Sequence, residues 1–450
     1  MTTTSTKPPG GTRDFLAADV RRRDYVMGVV RRTYERYGYD PLETPAFENI
    51  ETLLGKYGDE GNQLIFKILK RGEHEASGQA DLALRYDLTV PLSRVVAQYQ
   101  NVLPKYYKRY QVQPVWRADR PARGRFREFY QCDVDFIGST SPVVEVEILS
   151  AVSEVLLQLG FDDFVIRLNH RRALTALLEC AGVPQPRHGD ALVALDKLDK
   201  VGIEGVTREL ASRGIDAEAT RACLDFFSGA SRDDPRSRGP LQRLREFVKS
   251  HHAGPAAVDA LDEIVRLSDS SAAHGRIRID PSLARGLSYY TGAIMEIAVP
   301  DLTGSLGGGG RYDQLIGMFL GRDVPACGFS LGLERIIVVM TERNMFPASV
   351  AARAVDVLVT LWSDAMRADA IALASELRRA GLRVDLYPDA DKVGKQFKYA
   401  AAQSVPFVAV LGDDEREAGT VSFKELRTGE QQTVPRAEAA ALVLKALKPE

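Results

Sequence analysis

The sequence has few of the residues that hold structural metals or disulfides. Its 450 residues include 4 cysteines and 6 histidines. Cys132, Cys180, Cys223 and Cys327 are far apart, so no CxxC pair exists, and the histidines show neither HxxxH nor HExxH spacing. The usual zinc-site patterns are therefore excluded, and we expect no protein-bound metal. Unpaired cysteines in a chain of this length are typical of a reducing compartment, so we expect a cytoplasmic protein.

Long apolar runs and an overall basic charge are also missing. No stretch approaches the ~20 apolar residues of a membrane span, and residues 1–7 are Thr-rich without the apolar region of a secretory leader. We therefore expect no membrane partner. The net charge is −2, but residues 105–127 contain eight Lys or Arg and one Asp. Because local patches set phosphate contacts, the overall charge does not exclude RNA as a partner.

The most informative stretch is residues 106–138, which predicts two strands joined by a turn-rich loop. Side chains alternate between the two faces of a strand. In the second strand the even positions are mostly apolar and suit a core. The odd positions carry arginines at one end and carboxylates at the other, with a ring and an amide between them: Arg125, Arg127, Phe129, Gln131, Asp133 and Asp135.

This odd face has the chemistry of a composite binding site. Arginine grips phosphate through a planar fork of donors, and carboxylates hold a cationic amine or an imidazole N–H. One strand face is therefore able to bind a phosphate, an aromatic base and a small amine together. The pattern leaves a second interpretation open, a solvated hairpin with cross-strand ion pairs.

The order of residues in this stretch resembles a known family. Trp116-Arg117-Ala118-Asp119, a loop, Arg125 and Phe129 resemble motif 2 of the class II aminoacyl-tRNA synthetases. The continuation Gln131-Cys132-Asp133-Val134-Asp135 is similar to the version found in histidyl-tRNA synthetases.

Other segments carry the same resemblance in the family's order. A predicted helix at 18–37 and a strand at 39–45 that ends at Pro45 resemble motif 1, which builds a homodimer interface in class II enzymes. Residues 84–91, Leu-Arg-Tyr-Asp-Leu-Thr-Val-Pro, resemble the amino-acid-binding segment, although Thr89 also suits a helix cap. Residues 285–290, Arg-Gly-Leu-Ser-Tyr-Tyr, resemble the most specific signature of the family. The glycines at 307–310 suit a tight turn or a close approach to a ligand, and residues 328–335 resemble motif 3.

The resemblance implies roles for individual residues. Arg285 would replace a catalytic metal near the α-phosphate of ATP, and Arg117 would hold the α-phosphate and the substrate carboxylate. The predicted ATP-binding residues are Arg117, Asp119, Arg125, Phe129 and Arg335. The predicted histidine-binding residues are Asp87, Leu88, Thr89, Gln131, Asp135, Tyr289 and Tyr290. Many relatives carry Glu where Asp87, Asp119 and Asp135 stand, so those details carry over less directly.

The predicted fold class is α+β and α/β multidomain. Residues 1–169 and 276–345 would form the two parts of a catalytic domain with an antiparallel sheet and flanking helices. Residues 170–275 would be a helical insertion. Strands and helices alternate after residue 353, which predicts a mostly parallel sheet, and residues 353–450 resemble the anticodon-binding domain of class IIa enzymes.

The resemblance therefore implies a histidine–tRNA ligase that uses ATP with Mg²⁺, L-histidine and tRNA(His) and acts as a homodimer. Two alternatives belong to other classes. One is the non-catalytic, histidine-binding regulatory subunit of ATP phosphoribosyltransferase, which would lack the C-terminal domain and some of the four arginines at 117, 125, 285 and 335. The other is a synthetase-like module that senses uncharged tRNA, which would normally be part of a longer chain.

Overall fold

The computed structural model describes residues 5–72, 77–195, 198–230, 239–284, 289–351 and 355–447. The chain divides into two compact units, Met1–Phe346 and Pro347–Glu450. The signature arginine Arg285 lies outside the described residues, as do Gly286, Leu287 and Ser288.

The first unit contains both strands and helices. Its strands are β1 Asp40–Pro41, β2 Phe47–Asn49, β3 Lys67–Leu69, β4 Ala80–Leu84, β5 Tyr107–Trp116, β6 Glu128–Ile137, β7 Val165–His170, β8 Ile277–Ile279, β9 Ala293–Ala298, β10 Gly307–Arg311 and β11 Ala326–Gly332. Its helices are α1 Ala17–Arg36, α2 Ile50–Leu53, α3 Gly58–Gln63, α4 Thr89–Gln98, α5 Val143–Gln158, α6 Arg171–Cys180, α7 His188–Leu195, α8 Leu198–Ser212, α9 Ala217–Ala230, α10 Gly239–Phe247, α11 Gly254–Ser268, α12 Gly317–Leu320 and α13 Leu333–Glu342.

The main sheet of this unit is largely antiparallel. Among the described residues, eight strands pair in the order β1-β5-β6-β11-β10-β9-β7-β8. Only the outer pairs β1–β5 and β7–β8 are parallel. Three short strands, in the order β2-β4-β3, form a second sheet. The predicted antiparallel sheet with flanking helices is confirmed.

The two faces of the main sheet have different environments. One face packs on α1, α5 and α13 through a continuous apolar core that includes Cys132, Val134 and Leu331. Helix α1 contributes a buried stripe at helical spacing, from Val26 through Val30 to Tyr34. The other face carries the polar residues of β5 and β6, and α4 and the small sheet pack on it near Tyr107 and Ile137. The polar face is therefore the one available to a ligand.

The structure shortens one predicted strand and decides two alternatives that the sequence left open. The strand predicted at 39–45 is paired only over Asp40–Pro41, because the buried guanidinium of Arg85 takes up the carbonyl oxygens of Thr44 and Pro45 that a longer ladder would use. The sequence left two roles open for the glycines at 307–310, a tight turn or a close approach to a ligand, and the structure excludes the turn, because these residues form a central strand of the main sheet. Thr89 does not cap α4, since Asp87 accepts the hydrogen bond from the backbone N–H of Val90.

The helices between residues 171 and 268 do not have a core of their own. Helix α11 packs on α5, α6 and β7, and buried side chains of these helices, including Leu192 and Leu261, belong to the same apolar cluster as the main sheet. This region therefore adds a helical layer to the first unit.

The second unit is an α/β sandwich. Its strands are β12 Val357–Val359, β13 Val384–Leu386, β14 Phe407–Val410, β15 Thr420–Glu425 and β16 Gln431–Pro435. Its helices are α14 Ala348–Ala351, α15 Arg367–Arg379, α16 Val393–Ala402, α17 Asp413–Ala418 and α18 Ala439–Ala446. Strands β13, β12 and β14 are parallel, as the alternating pattern predicts, and the antiparallel pair β15–β16 extends that sheet. No described helix in either unit is both long enough and apolar enough to cross a membrane.

A buried ion pair holds the end of β10 against α5. Nε and Nη2 of Arg311 lie 2.6 and 2.7 Å from the two carboxylate oxygens of Glu145, and both side chains are less than a tenth exposed. A third nitrogen of Arg311 donates to the carbonyl oxygen of Ser139 at 2.9 Å. Removing the charge of Glu145 would leave the buried guanidinium of Arg311 with only the more exposed Asp313, at 3.3 Å, as an anionic partner.

We therefore expect Glu145→Gln to lower the free energy of unfolding of the first unit by about 3–5 kcal/mol. Urea denaturation followed by intrinsic fluorescence measures this change. The control is Glu246→Gln, which breaks the exposed pair of Lys249 and Glu246 and should shift the urea midpoint little. Equal midpoints for the two variants would show that the buried pair does not stabilise the unit.

Candidate active site

The open face of the main sheet forms the floor of a cavity of about 340 Å³. Its walls come from the start of α4, the loop between β5 and β6, and the segment before β9. The residues that line it and that also belong to the predicted site are Asp87, Thr89, Arg117, Asp119, Arg125, Phe129, Gln131, Tyr289, Tyr290 and Arg335. A smaller cavity of about 20 Å³ extends the floor and is lined by Asp133, Asp135 and Tyr312 among others.

Glycines keep this floor open. A Cβ on Gly328 would lie 1.9 Å from Oδ1 of Asp135, so only glycine leaves room for that carboxylate. On the next strand, a Cβ on Gly309 would lie 2.2 Å from the carbonyl oxygen of Gly328. Gly308 differs, because its nearest neighbour would be the carbonyl oxygen of Met295 at 3.4 Å and it lines both cavities. A side chain at position 308 would therefore occupy space that a ligand needs.

Asp87 is a buried carboxylate held in place at the start of α4. The hydroxyl of Tyr57 donates to its Oδ1 at 3.0 Å, the backbone N–H of Val90 donates to the same oxygen at 3.0 Å, and the hydroxyl of Tyr289 lies 3.4 Å from Oδ2. Burial raises the pKa of Asp87, and these hydrogen bonds act in the opposite direction. A carboxylate fixed in this way is suited to bind a cationic amine in the cavity.

A second buried charge cluster lies deeper along the sheet. The guanidinium of Arg109 is fully buried, with Nη2 2.9 Å from Oδ2 of Asp135 and 4.0 Å from Oδ2 of Asp133. The hydroxyl of Tyr312 donates to the other oxygen of Asp135. Burial raises the pKa of Asp133 to about 7, and the charge of Arg109 opposes this rise. Burial would lower the pKa of Arg109, but Asp135 and Asp133 raise it.

The opposite end of the cavity is rich in arginine. Arg117 donates from Nε to the carbonyl oxygen of Tyr86 at 3.0 Å, and its guanidinium lies 4.3 Å from the centre of the Tyr86 ring and 5.2 Å from that of Phe129. Arg125 pairs with Asp119 at 3.1 Å. Arg335, at the start of α13, donates to the carbonyl oxygen of Ser305. Three guanidinium groups therefore border one cavity, which is an arrangement suited to a polyphosphate.

The structure brings together most of the residues predicted from the sequence. Ten of them line the main cavity, and Asp135 lines the small extension. Leu88 is buried and does not line either cavity, and its carbonyl oxygen accepts a bond from Arg109 at 3.4 Å. The prediction for Arg285 lies outside the described residues.

The sequence analysis missed several residues that the structure places at the site. Tyr57 holds Asp87 but lies in an irregular segment with no periodic pattern to identify it. Ser330 accepts a bond of 2.7 Å from Gln131. Ser330 alternates with Gly328 and Gly332 along β11, and this period-2 pattern is the sequence signal that these three residues share one face. In the structure they pair with Asp133, Asp135 and Gln131 respectively, on the open face.

Glu334 is another missed residue, and it is buried in the wall of the cavity. Its Oε2 accepts the backbone N–H of Tyr130 at 3.0 Å. Burial raises the pKa of Glu334 from its ordinary 4.5 to about 7. Because the pKa is higher in the folded state, the stability linked to this proton is present below pH 4.5 and is lost as the pH rises through 7.

Glu334→Gln keeps a hydrogen-bond acceptor but cannot ionise. We therefore expect the stability of this variant, relative to that of the wild type, to increase as the pH rises. The difference in Tm between the variant and the wild type should increase by a few degrees between pH 5 and pH 8. Glu342→Gln is the control: pairing with Arg123 lowers the pKa of Glu342 below its ordinary 4.5, so this group is ionised in both states above pH 5 and its variant should show a constant difference in Tm between pH 5 and pH 8. A pH-independent difference for Glu334→Gln would show that Glu334 is ionised throughout this range.

Comparison with known proteins identifies the family of both units. The family model described as histidyl-tRNA synthetase matches residues 11–336, and the model described as anticodon binding domain matches residues 355–446. A histidine–tRNA ligase of Porphyromonas gingivalis is 40% identical over 452 residues, which are 97% of this chain and 98% of the relative. One from Gloeobacter violaceus is 39% identical over 469 residues and covers 98% of each chain.

Solved structures support the same assignment. The crystal structure of histidyl-tRNA synthetase from Nostoc sp. PCC 7120 has a TM-score of 0.80 and 30% identity, and it covers 99% of this chain and 100% of that one. The apo S. aureus histidyl-tRNA synthetase shares the fold with a TM-score of 0.66 and 22% identity, over 98% of this chain and 100% of that one. From the family match, the full-length relatives and the fold, the chain belongs to the histidyl-tRNA synthetase family of class II aminoacyl-tRNA synthetases.

Proposed function

We propose that this chain is a histidine–tRNA ligase that activates L-histidine with ATP and transfers the histidyl group to tRNA(His). The observation that carries the proposal is a single cavity with two chemically different ends. Guanidinium groups of Arg117, Arg125 and Arg335 border one end, and buried carboxylates and tyrosines border the other. A nucleoside triphosphate and an amino acid with a basic side chain fit these ends respectively.

At the ATP end, the arginines would neutralise the phosphates. Arg335 and Arg125 would hold the γ-phosphate, and Arg125 would exchange its present partner Asp119 for that anion. Phe129 lines the cavity and would stack on adenine. Arg117 lies between the ends and would hold the α-phosphate and the carboxylate of histidine.

At the histidine end, Asp87, Thr89 and Gln131 would bind the α-ammonium group. Asp135, Tyr289 and Tyr290 would bind or enclose the imidazole, with Leu88 supporting the segment from behind. Hydrogen bonds to the imidazole give specificity, since an amino acid without ring N–H groups leaves these buried groups unpaired.

Activation would then require little from the protein beyond position and charge. A carboxylate oxygen of histidine attacks the α-phosphorus, the bond to the bridging oxygen breaks, and pyrophosphate leaves. Arg285 would stabilise the charge that develops on the α-phosphate. In the second step the terminal ribose hydroxyl of the tRNA attacks the histidyl carbonyl and AMP leaves. No strong protein base is needed, because alignment supplies most of the rate.

Mg²⁺ would enter as part of the ATP substrate. The described residues contain no group of three or more His, Cys, Asp or Glu that could hold a metal ion by themselves. The phosphate oxygens would therefore supply most of the ligands of the ion, and the arginines would share the charge.

The remaining assignments concern the rest of the chain. Residues 1–169 and 276–345 would form the catalytic domain, residues 170–275 the helical insertion, and residues 353–450 the domain that binds the anticodon. The two family matches, over residues 11–336 and 355–446, support the separation of the catalytic part from the C-terminal domain. The resemblance of α1 and the following strand to motif 1 supports a homodimer. Free cysteines at all four positions support the cytoplasm.

The ATP end is tested by Arg335→Ala. Removing a charged hydrogen-bond donor to phosphate costs ~1.5–3 kcal/mol of binding free energy. We therefore expect the KM for ATP in pyrophosphate exchange to rise ~10–100-fold, while the Kd for histidine stays unchanged. Arg245→Ala is the control, because Arg245 lies on α10 and pairs with Asp259. An unchanged KM for ATP would remove Arg335 from the phosphate site.

Arg285→Ala tests the chemical step. We expect kcat for pyrophosphate exchange to fall by ~10²–10³, the range measured when one donor to a developing oxyanion is removed, with the KM values for ATP and histidine less affected. A variant with full kcat would show that other groups carry the charge on the α-phosphate.

A further inference from the structure

The N-terminal segment, residues 9–15, packs against the loop between β5 and β6. The backbone N–H of Arg127 donates to the carbonyl oxygen of Gly11 at 2.8 Å, and Nη1 of Arg127 donates to that of Gly10 at 3.1 Å. Nε of the same side chain donates to the carbonyl oxygen of Asp119 at 3.2 Å. Arg127 therefore joins the N-terminal segment to the loop that borders the ATP end of the cavity.

Gly11 allows the segment to lie directly on this loop. Its φ is +86°, which side chains rarely adopt, and a Cβ would lie 2.7 Å from Cγ of Arg127 and 3.0 Å from Cγ of Pro121. The backbone of the segment is thus in contact with the loop as well as hydrogen-bonded to it. The residues that follow Gly11 are therefore held at a fixed position relative to the loop.

Arg13 extends from this segment behind the wall of the cavity. Its guanidinium carbon lies 3.9 Å from the centre of the Phe126 ring and 4.6 Å from that of Phe15. These distances are short enough for cation–π contacts. Phe126 follows Arg125 in the sequence, and both residues line the main cavity. Arg13 therefore supports a residue of the ATP end without lining the cavity itself.

The carboxylate of Glu334 compensates the charge of Arg13. Burial lowers the pKa of Arg13, and the nearby charge of Arg23 adds to this effect, while Glu334 is the largest influence in the opposite direction. Nε of Arg13 is buried and has no hydrogen-bond partner within the described part of the chain. The place of this guanidinium is therefore set mainly by the aromatic rings and by Glu334, which lines the cavity next to Arg335.

We propose that Arg13 is a positioning residue for ATP, which acts by holding the ring of Phe126, and with it Arg125, at the ATP end of the cavity. Glu334 connects the same contact to the start of α13, because its carboxylate attracts Arg13 and also accepts the backbone N–H of Tyr130. The N-terminal segment thereby becomes part of the ATP site. The inference rests on the proposed function, since it requires that ATP occupies this end.

The test is pyrophosphate exchange with full-length Arg13→Met, which keeps an unbranched apolar side chain and removes the cation. We expect the KM for ATP to rise ~3–30-fold, the value of a cation–π contact, while the KM for histidine stays within ~twofold of the wild type. Arg13→Lys keeps the charge but not the planar fork of the guanidinium, so it should recover part of this loss.

The matched control is Arg276→Met. The guanidinium carbon of Arg276 lies 4.3 Å from the centre of the Phe164 ring, and neither residue lines the cavity. This variant loses a contact of the same kind at a place remote from the ATP end. It should lower the Tm without changing the KM for ATP.

A cycle of variants separates positioning from a direct role. If Arg13 acts through Phe126, Arg13→Met should have little further effect once Phe126→Leu has removed the ring. The KM for ATP of the double variant should then stay within ~twofold of that of Phe126→Leu. Rises that multiply in the double variant would show that Arg13 does not act through Phe126.

Two other results would overturn the assignment. One is a KM for ATP within ~twofold of the wild type in a folded Arg13→Met, and the other is an equal rise in Arg276→Met. If Arg13→Met does not fold, Phe126→Leu alone decides, because an unchanged KM for ATP would mean that the ring takes no part in binding ATP. A wild type without exchange would instead refute the proposed function, so the two failures are distinguishable.

Discussion

The buried guanidinium of Arg109 is the interaction on which the open face of the sheet depends. It allows Asp133 and Asp135 to lie side by side inside the protein, where two carboxylates without a cation would repel each other and lose their hydration. Asp135 is accommodated because Gly328 has no side chain, and Tyr312 comes from the segment that follows the glycine strand β10. These side chains therefore form one interdependent cluster, which combines a cation on β5, two anions on β6, a glycine on β11 and a tyrosine after β10.

This cluster explains the division of the cavity into two ends. The carboxylates are concentrated where the sheet floor is deepest, and the arginines border the region near the β5–β6 loop and the start of α13. Arg117, which packs on the rings of Tyr86 and Phe129, stands between these regions. A reaction that joins a carboxylate to a phosphate requires such an arrangement, because both anions must approach each other at a position where positive charge is available.

The local parts of this site could be predicted from the sequence, and its long-range contacts could not. Alternation along β6 placed Gln131, Asp133 and Asp135 on one face and Cys132 and Val134 in the core, and the structure confirms both assignments. Ser330 follows the same alternation on β11, but the sequence alone does not show that it lies beside Asp133, because that contact depends on the pairing of β11 with β6. The partnership of Tyr57 with Asp87 joins segments 30 residues apart, and no periodic signal records it. Arg85 and Thr44 show the same limit, since a tertiary contact shortened a strand that the local sequence favours.

The direct measurement of the central claim is pyrophosphate–ATP exchange with each of the twenty amino acids, in the absence of tRNA. The account predicts exchange that depends on histidine alone, because only histidine combines an α-ammonium for Asp87 with an imidazole N–H for the buried carboxylates of β6, and the larger indole of tryptophan does not fit an extension of about 20 Å³. Histidine binding without exchange would contradict the account, since it would show that the arginine-lined end of the cavity does not carry ATP through activation.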